Sequence, residues 1–190
     1  MPDATALPSD VPSVFLLPTA DQRAAGGTHG SAVRGALRAM THDDWTLEQD
    51  LSRDAAVQRW TFYPADLSAD DARTRAALAV DRRRTGASAR FVVLDDDGPA
   101  GTAGIAIPRG VPEVFYALLP RARGRGLASR AARTLSSWAL RAGYPEVHLF
   151  TLEGNTASEA VAERAGFTRG ETATVVRDGI KETTTCWVRR

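Results

Sequence analysis

Apolar and polar positions follow two rhythms along this chain, and the changes of rhythm mark its elements. From Gly124 to Ala142, Leu127, Ala131, Leu135 and Trp138 recur every three or four residues, so they share one stripe of a helix that Gly143 ends. Phe91-Val92-Val93-Leu94 and Gly101 to Ile107 flank the turn Asp95-Asp96-Asp97-Gly98, which predicts an antiparallel hairpin. Val114 to Leu119 and Val147 to Thr151 are two further apolar strands. Asn155 to Ala165 reads as a helix closed by Gly166. Phe167 to Val176 then turns through Arg177-Asp178-Gly179 into a last strand, Ile180 to Val188.

The first half is less regular. Ser31 to Met40 predicts a first strand, and Thr41 can cap a helix with Asp43 and Asp44 in its first turn. Ser52 can cap a short helix ending near Trp60, and Pro64 closes the aromatic stretch Trp60-Thr61-Phe62-Tyr63 as a loop. Ser68, followed by Asp70 and Asp71, opens a helix that carries Leu78 and Val80 and stops at Gly86. Residues 1–30 hold Pro2, Pro8, Pro12 and Pro18, then Gly26, Gly27 and Gly30, without sustained periodicity, and read as an irregular arm. Residues 31–190 form one domain of mixed α/β (α+β) type, with helices between strands and hairpins at both ends of the sheet.

Composition narrows the function by exclusion. Lys+Arg 24 against Asp+Glu 23 leaves a net charge of +1, so there is no general attraction for nucleic acid or an anionic membrane. Cys186 is the single cysteine, which excludes an internal disulfide and a cysteine-based zinc site and suits a reducing, cytoplasmic setting. No basic segment precedes the short apolar stretch Val14 to Leu17, and no apolar run approaches membrane-spanning length, so neither a secretion signal nor an anchor is expected. His29, His42 and His148 are scattered without metal-type pairing, and no metal is expected. Asp95 to Asp97 lack calcium-loop spacing and fit a hairpin turn. Arg82-Arg83-Arg84 complements a helix C-terminus or touches RNA. A serine hydrolase would need Gly-x-Ser-x-Gly, which is missing.

The sharpest chemical feature is Pro120-Arg121-Ala122-Arg123-Gly124-Arg125-Gly126-Leu127-Ala128, between an apolar strand and an amphipathic helix. A glycine-rich strand-to-helix turn leaves backbone N–H groups uncovered at a helix N-terminus, where the dipole also favours an anion. Arg121, Arg123 and Arg125 add side-chain donors for a phosphate. It is neither a Walker loop, since no Gly-Lys-Ser/Thr follows, nor a G-x-G-x-x-G fingerprint, since Ser129 follows Gly124 and Gly126 at the last position.

In context this stretch resembles the pyrophosphate loop of the GNAT superfamily of acyl-CoA N-acyltransferases. Glu113-Val114-Phe115-Tyr116-Ala117-Leu118-Leu119-Pro120 resembles the fourth strand of the branch that acetylates ribosomal-protein N-terminal alanines. Asn155-Thr156-Ala157-Ser158 and Ala165-Gly166-Phe167 resemble two further landmarks, in order over residues 113–167. The resemblance implies a mostly antiparallel sheet of about seven strands flanked by helices, its fourth and fifth strands splayed around the pantetheine of acetyl-CoA.

Each site residue carries an implied role. Backbone of Leu118 and Leu119 would pair with pantetheine amides, and the N–H of one of them would polarise the thioester carbonyl. Amides from Arg123 through Gly124, Arg125, Gly126 and Leu127 to Ala128 would hold the pyrophosphate, and Asn155 would bind the pantetheine arm or simply cap its helix. Glu113 is either the base for the amine or a strand-edge carboxylate. The superfamily's usual thiolate acid, a tyrosine four residues before the Gly of Gly-Phe, is Ala162 here, so Ser158 or water takes its place. Trp60, Phe62 and Tyr63 line the acceptor pocket or pack the helical hairpin, and Tyr116 is placed with the acceptor. The implied acceptor is an amine-bearing small molecule or a peptide or protein N-terminus, and the resemblance allows a homodimer. Two rival readings are an acyltransferase of specialised metabolism or antibiotic resistance, and a non-catalytic acyl-CoA-binding regulatory module.

Overall fold

The computed structural model describes residues 5–18, 35–177 and 179–190. Among them, eight strands form one sheet in the order β1-β2-β3-β4-β5-β6-β8-β7. The strands are β1 (Val14–Leu16), β2 (Ala36–Ala39), β3 (Ser88–Asp95), β4 (Gly98–Ala106), β5 (Glu113–Leu118), β6 (Val147–Leu152), β7 (Thr168–Arg177) and β8 (Ile180–Arg189). The helices are α1 (Trp45–Ser52), α2 (Ala55–Trp60), α3 (Ala69–Arg84), α4 (Leu127–Arg141) and α5 (Thr156–Ala165). None of these is long and apolar enough to cross a membrane.

Side-chain alternation along the strands builds two cores, one on each face. Phe91, Val93, Ala103, Val114 and Leu118 face α4 and α5 and pack with Leu127, Leu135 and Ala162. Val92 and Ala117 face the other way, onto Leu47, Leu51, Val57 and Ala79 of α1 to α3. The face a β5 side chain occupies therefore decides which half of the site it serves. Between β4 and β5 the backbones approach so closely that a Cβ on Gly101 would lie 2.2 Å from the carbonyl oxygen of Ala117, and one on Gly104 would lie 2.3 Å from the Phe115 ring.

Several expectations are corrected. The sheet has eight strands, not about seven, because Val14–Leu16 within the arm pairs antiparallel with β2. Leu7 and Leu17, on either side of that strand, are buried in the core. The first predicted strand is seen as Ala36–Ala39, and residues 31–34 lie outside the described residues. Asp54, not Ser52, caps α2: its carboxylate accepts from the Val57 N–H at 2.8 Å. Ser52 instead ends α1, donating to the Gln49 carbonyl at 2.6 Å and accepting from the Leu67 N–H at 2.9 Å. On α3 the buried stripe is Ala72, Ala76 and Ala79, which leaves Leu78 exposed. Of the last hairpin's turn, Asp178 lies outside the described residues.

Candidate active site

All neighbouring strands run antiparallel except β5 and β6, which are parallel and pair only at Glu113↔His148 and Val114↔Leu149. Beyond that register they part, so Tyr116 and Leu118 on one strand and Thr151 and Leu152 on the other border a gap. The Leu119 N–H donates to the Ala100 carbonyl at 2.9 Å. Backbone groups alternate sides along a strand, so the Leu118 N–H is the one aimed into the gap. The Leu119 N–H is thus taken by β4, and of the two strand-end N–H groups it is that of Leu118 that borders the gap. The Leu118 carbonyl is taken by the Arg123 Nε at 3.0 Å.

The turn from β5 into α4 has the geometry that its glycines suggest. Gly124 and Gly126 both have φ of 73°, a conformation that disfavours other residues, and Gly126 is the N-cap of α4. A Cβ at either position would meet nothing within 4 Å, so the space before the helix is open. No described group accepts from the N–H groups of Gly124 to Ser129. A row of free backbone donors at the positive end of a 15-residue helix fits a pyrophosphate.

The three arginines of this turn already hold protein acceptors. The Asp95 side chain, fully buried, receives Arg125 at 2.8 Å and Arg121 at 3.3 Å, and Arg121 also donates to the Pro99 carbonyl. Arg123 binds Asp54, the cap of α2. These contacts tie the turn to β3 and α2, and a guanidinium's five donors leave others for a phosphate.

Across the gap, Asn155 caps α5, its Oδ1 accepting from the Ser158 N–H at 3.1 Å. The capping role is observed, and the side-chain nitrogen is what Asn155 retains for a ligand. Ser158 and Ala162 lie one turn apart on the same face of α5. From β5, the Tyr116 hydroxyl is buried and meets no partner at hydrogen-bonding geometry. Burial pushes this phenol up to about 12, against a lowering by the neighbouring Ser158 hydroxyl. Tyr116 therefore stands with Ser158 on the α4–α5 face.

Glu113 points to the opposite face, at the closed end of the gap, and pairs with exposed Arg109 at 3.3 Å. Its ladder partner His148 is bound to Glu146 at 2.8 Å, a pair in adjacent sequence that sequence reading passed over. Cys186, half-buried beside this group, has its thiol pushed up by burial and by the charges of Glu113, Glu146 and Glu171, so it is held protonated and poorly nucleophilic.

The aromatic stretch after α2 is divided between two roles. The Tyr63 hydroxyl donates to the fully buried Glu48 at 2.5 Å, and the same carboxylate receives Arg75 at 2.5 Å and Arg90 at 2.8 Å. Burial opposes the charge of Glu48, but Arg90, Tyr63 and Arg75 together hold it below the usual carboxylate range. Tyr63 is thereby fixed in the helical wall. Trp60 instead reaches towards Gly154, next to Asn155, while Phe62 is 67% exposed beneath Arg177. Arg177 donates to the carbonyls of Gln58 and Thr61 at 3.0 and 2.9 Å and pairs with Glu182 at 2.7 Å; Glu182 also receives Arg59 at 2.7 Å. The β7–β8 hairpin is thus clamped onto this wall. Among the described residues, no group of three or more His, Cys, Asp or Glu could hold a metal.

Residues 34–168 match the family model of the acetyltransferase (GNAT) domain. No curated protein matches the chain. Among solved structures, an acetyltransferase from Salmonella typhimurium that modifies the N-terminal serine of a 50S ribosomal subunit protein is similar at 20% identity and a TM-score of 0.72, covering 82% of this chain and 94% of its own. A ribosomal-protein alanine acetyltransferase from Vibrio fischeri is similar at 18% identity and a TM-score of 0.69, over 82% and 92% of the two chains. Spermidine N-acetyltransferase from Vibrio cholerae, solved with CoA and spermine, matches at 17% identity and a TM-score of 0.69, over 82% and 94%.

Proposed function

The chain belongs to the GNAT acetyltransferase family and is an acyl-CoA-dependent N-acetyltransferase; from that membership we propose that it acetylates the primary amine of a small molecule or peptide N-terminus carrying an apolar group beside the amine. The observation that carries the acceptor reading is the exposed Phe62, with Trp60 reaching towards Gly154 just past β6, in a segment held by Arg177 and Glu182. Burying one apolar side chain against them is worth roughly 1.5–3 kcal/mol. A polyamine would instead have to desolvate several charges there.

Acetyl-CoA supplies an activated acetyl group. Backbone donors from Gly124 to Ala128 hold its pyrophosphate, the Leu118 N–H polarises the thioester carbonyl, and the Asn155 side-chain nitrogen serves the pantetheine arm. Glu113, on the face away from Ser158, takes the amine's proton directly or through water. Attack is direct, in a ternary complex, because the single cysteine is held as a thiol in β8. The setting is cytoplasmic, in keeping with that lone thiol. A homodimer through the last strands accords with the exposed outer strand β7.

Mass spectrometry of the protein incubated with acetyl-CoA and a panel of peptides and amines tests this reading. Acetylated peptides or apolar amines are expected. Binding of acetyl-CoA with no acetylated product from any amine would contradict it and favour a regulatory acyl-CoA-binding module.

A further inference from the structure

We propose that the Tyr116 hydroxyl is the hydrogen-bond donor to the thioester sulfur, stabilising the thiolate as it leaves, with Ser158 as its companion. The inference rests on the acyl-CoA reading of the gap and adds a role that places Tyr116 with the donor rather than the acceptor. Three observations carry it. First, Tyr116 lies just past the last ladder pair, Val114↔Leu149, where β5 and β6 separate. Second, its hydroxyl is buried with no partner at hydrogen-bonding geometry and only the Ser158 hydroxyl beside it, so its proton is left to donate to a ligand. Third, the α5 face opposite it presents Ser158 and the small Ala162, leaving Tyr116 as the phenol available on that side.

The chemistry requires a donor, not an acid. The amine nitrogen bonds to the carbonyl carbon, the C–S bond breaks, and its electron pair goes to sulfur; the amine's surplus proton leaves through Glu113 or water, and the thiolate takes a proton from solvent. A phenol raised to about 12 is far weaker as an acid than a free thiol, near 8.5, so it keeps its proton and donates a hydrogen bond throughout the working range. Burial and Ser158 are the influences on that phenol, and no charged side chain contributes, so the donor does not switch with pH. Preorganised donors of this kind are worth about 10²–10³-fold in turnover.

The test compares CoA with desulfo-CoA by calorimetry from pH 7 to 10, in the wild type and in Tyr116→Phe. In the wild type, affinity for CoA should rise over that for desulfo-CoA as the thiol ionises, and Tyr116→Phe should abolish that rise while leaving desulfo-CoA affinity within about twofold. Turnover should fall about 10²-fold, and the melting temperature should hold or rise, because an unpaired buried hydroxyl has been removed. Ser158→Ala, which keeps the phenol, should retain most of the thiolate preference. An undiminished preference in Tyr116→Phe overturns the proposal, as does equal weakening of both ligands with a lowered melting temperature. Failure of the wild type to bind either ligand brings down the acyl-CoA reading itself.

Discussion

The turn that leads into α4 and the wall that faces it across the gap are built on different principles. Around Gly124 and Gly126 the binding groups are backbone N–H donors, and what matters is conformation: two positive φ angles and an uncovered helix end. In the wall, the groups presented are side chains brought from distant segments: Trp60 at the end of α2 and Phe62 just beyond it, clamped by Arg177 and Glu182 from the last hairpin. A backbone site tolerates drift of its neighbours' side chains but not of its own glycines. A side-chain site can change its ligand by single substitutions. On the proposed assignment, the half given to the common donor is therefore fixed by local geometry, whereas the half given to the acceptor is free to vary.

Substitutions can break this contrast in order of expected effect. Glu113→Gln, which serves neither region's binding, should lower turnover by about 10²–10⁴-fold with little change in acetyl-CoA affinity, read by steady-state kinetics beside calorimetry. A loss below about threefold would remove Glu113 from the role of base. Gly126→Val forces a β-branched residue to a φ of 73°, a strain of about 1–3 kcal/mol, and should weaken acetyl-CoA binding by on the order of 100-fold while the chain stays cooperatively folded. Unchanged affinity in that folded variant would contradict the phosphate assignment. Phe62→Ala should raise the KM for an apolar acceptor about tenfold and leave acetyl-CoA binding untouched, because Phe62 belongs only to the wall. An equal effect on both ligands would merge the two regions.

The wall also predicts a pH dependence of stability. Glu48 is held below its ordinary value, so its contribution is complete above about pH 4.3 and is lost as pH falls through the lower folded-state value. Glu48→Gln, which leaves Arg75 and Arg90 without their buried partner, should destabilise the fold by about 3–5 kcal/mol and flatten the acid limb of the unfolding curve. Denaturant titrations at several pH values check this.

How much could be read from the sequence follows the same division. The helix α4, its glycine turn and the β3–β4 hairpin are local patterns, and they stand where periodicity and turn residues put them. The three-residue β1 was hidden because it is too short for a period and lies between Pro12 and Pro18. Ser52 and Asp54 are both good caps two residues apart, and only packing decides between them. Within the site, the cluster of Glu48 with Tyr63, Arg75 and Arg90 joins residues 15 to 42 apart, so no local signal announces it. The same holds for Asp95 binding Arg121 and Arg125, 26 and 30 positions on. The orphaned hydroxyl of Tyr116 beside Ser158 appears only once β5 and α5 are brought together.

Competition kinetics test the acceptor assignment most directly, with spermidine, an apolar aryl-alkyl amine and peptides bearing apolar residues near the N-terminus offered together under limiting acetyl-CoA. The aromatic wall at Trp60 and Phe62 predicts a higher specificity constant for the apolar amine or peptide than for spermidine. A higher specificity constant for spermidine would contradict it.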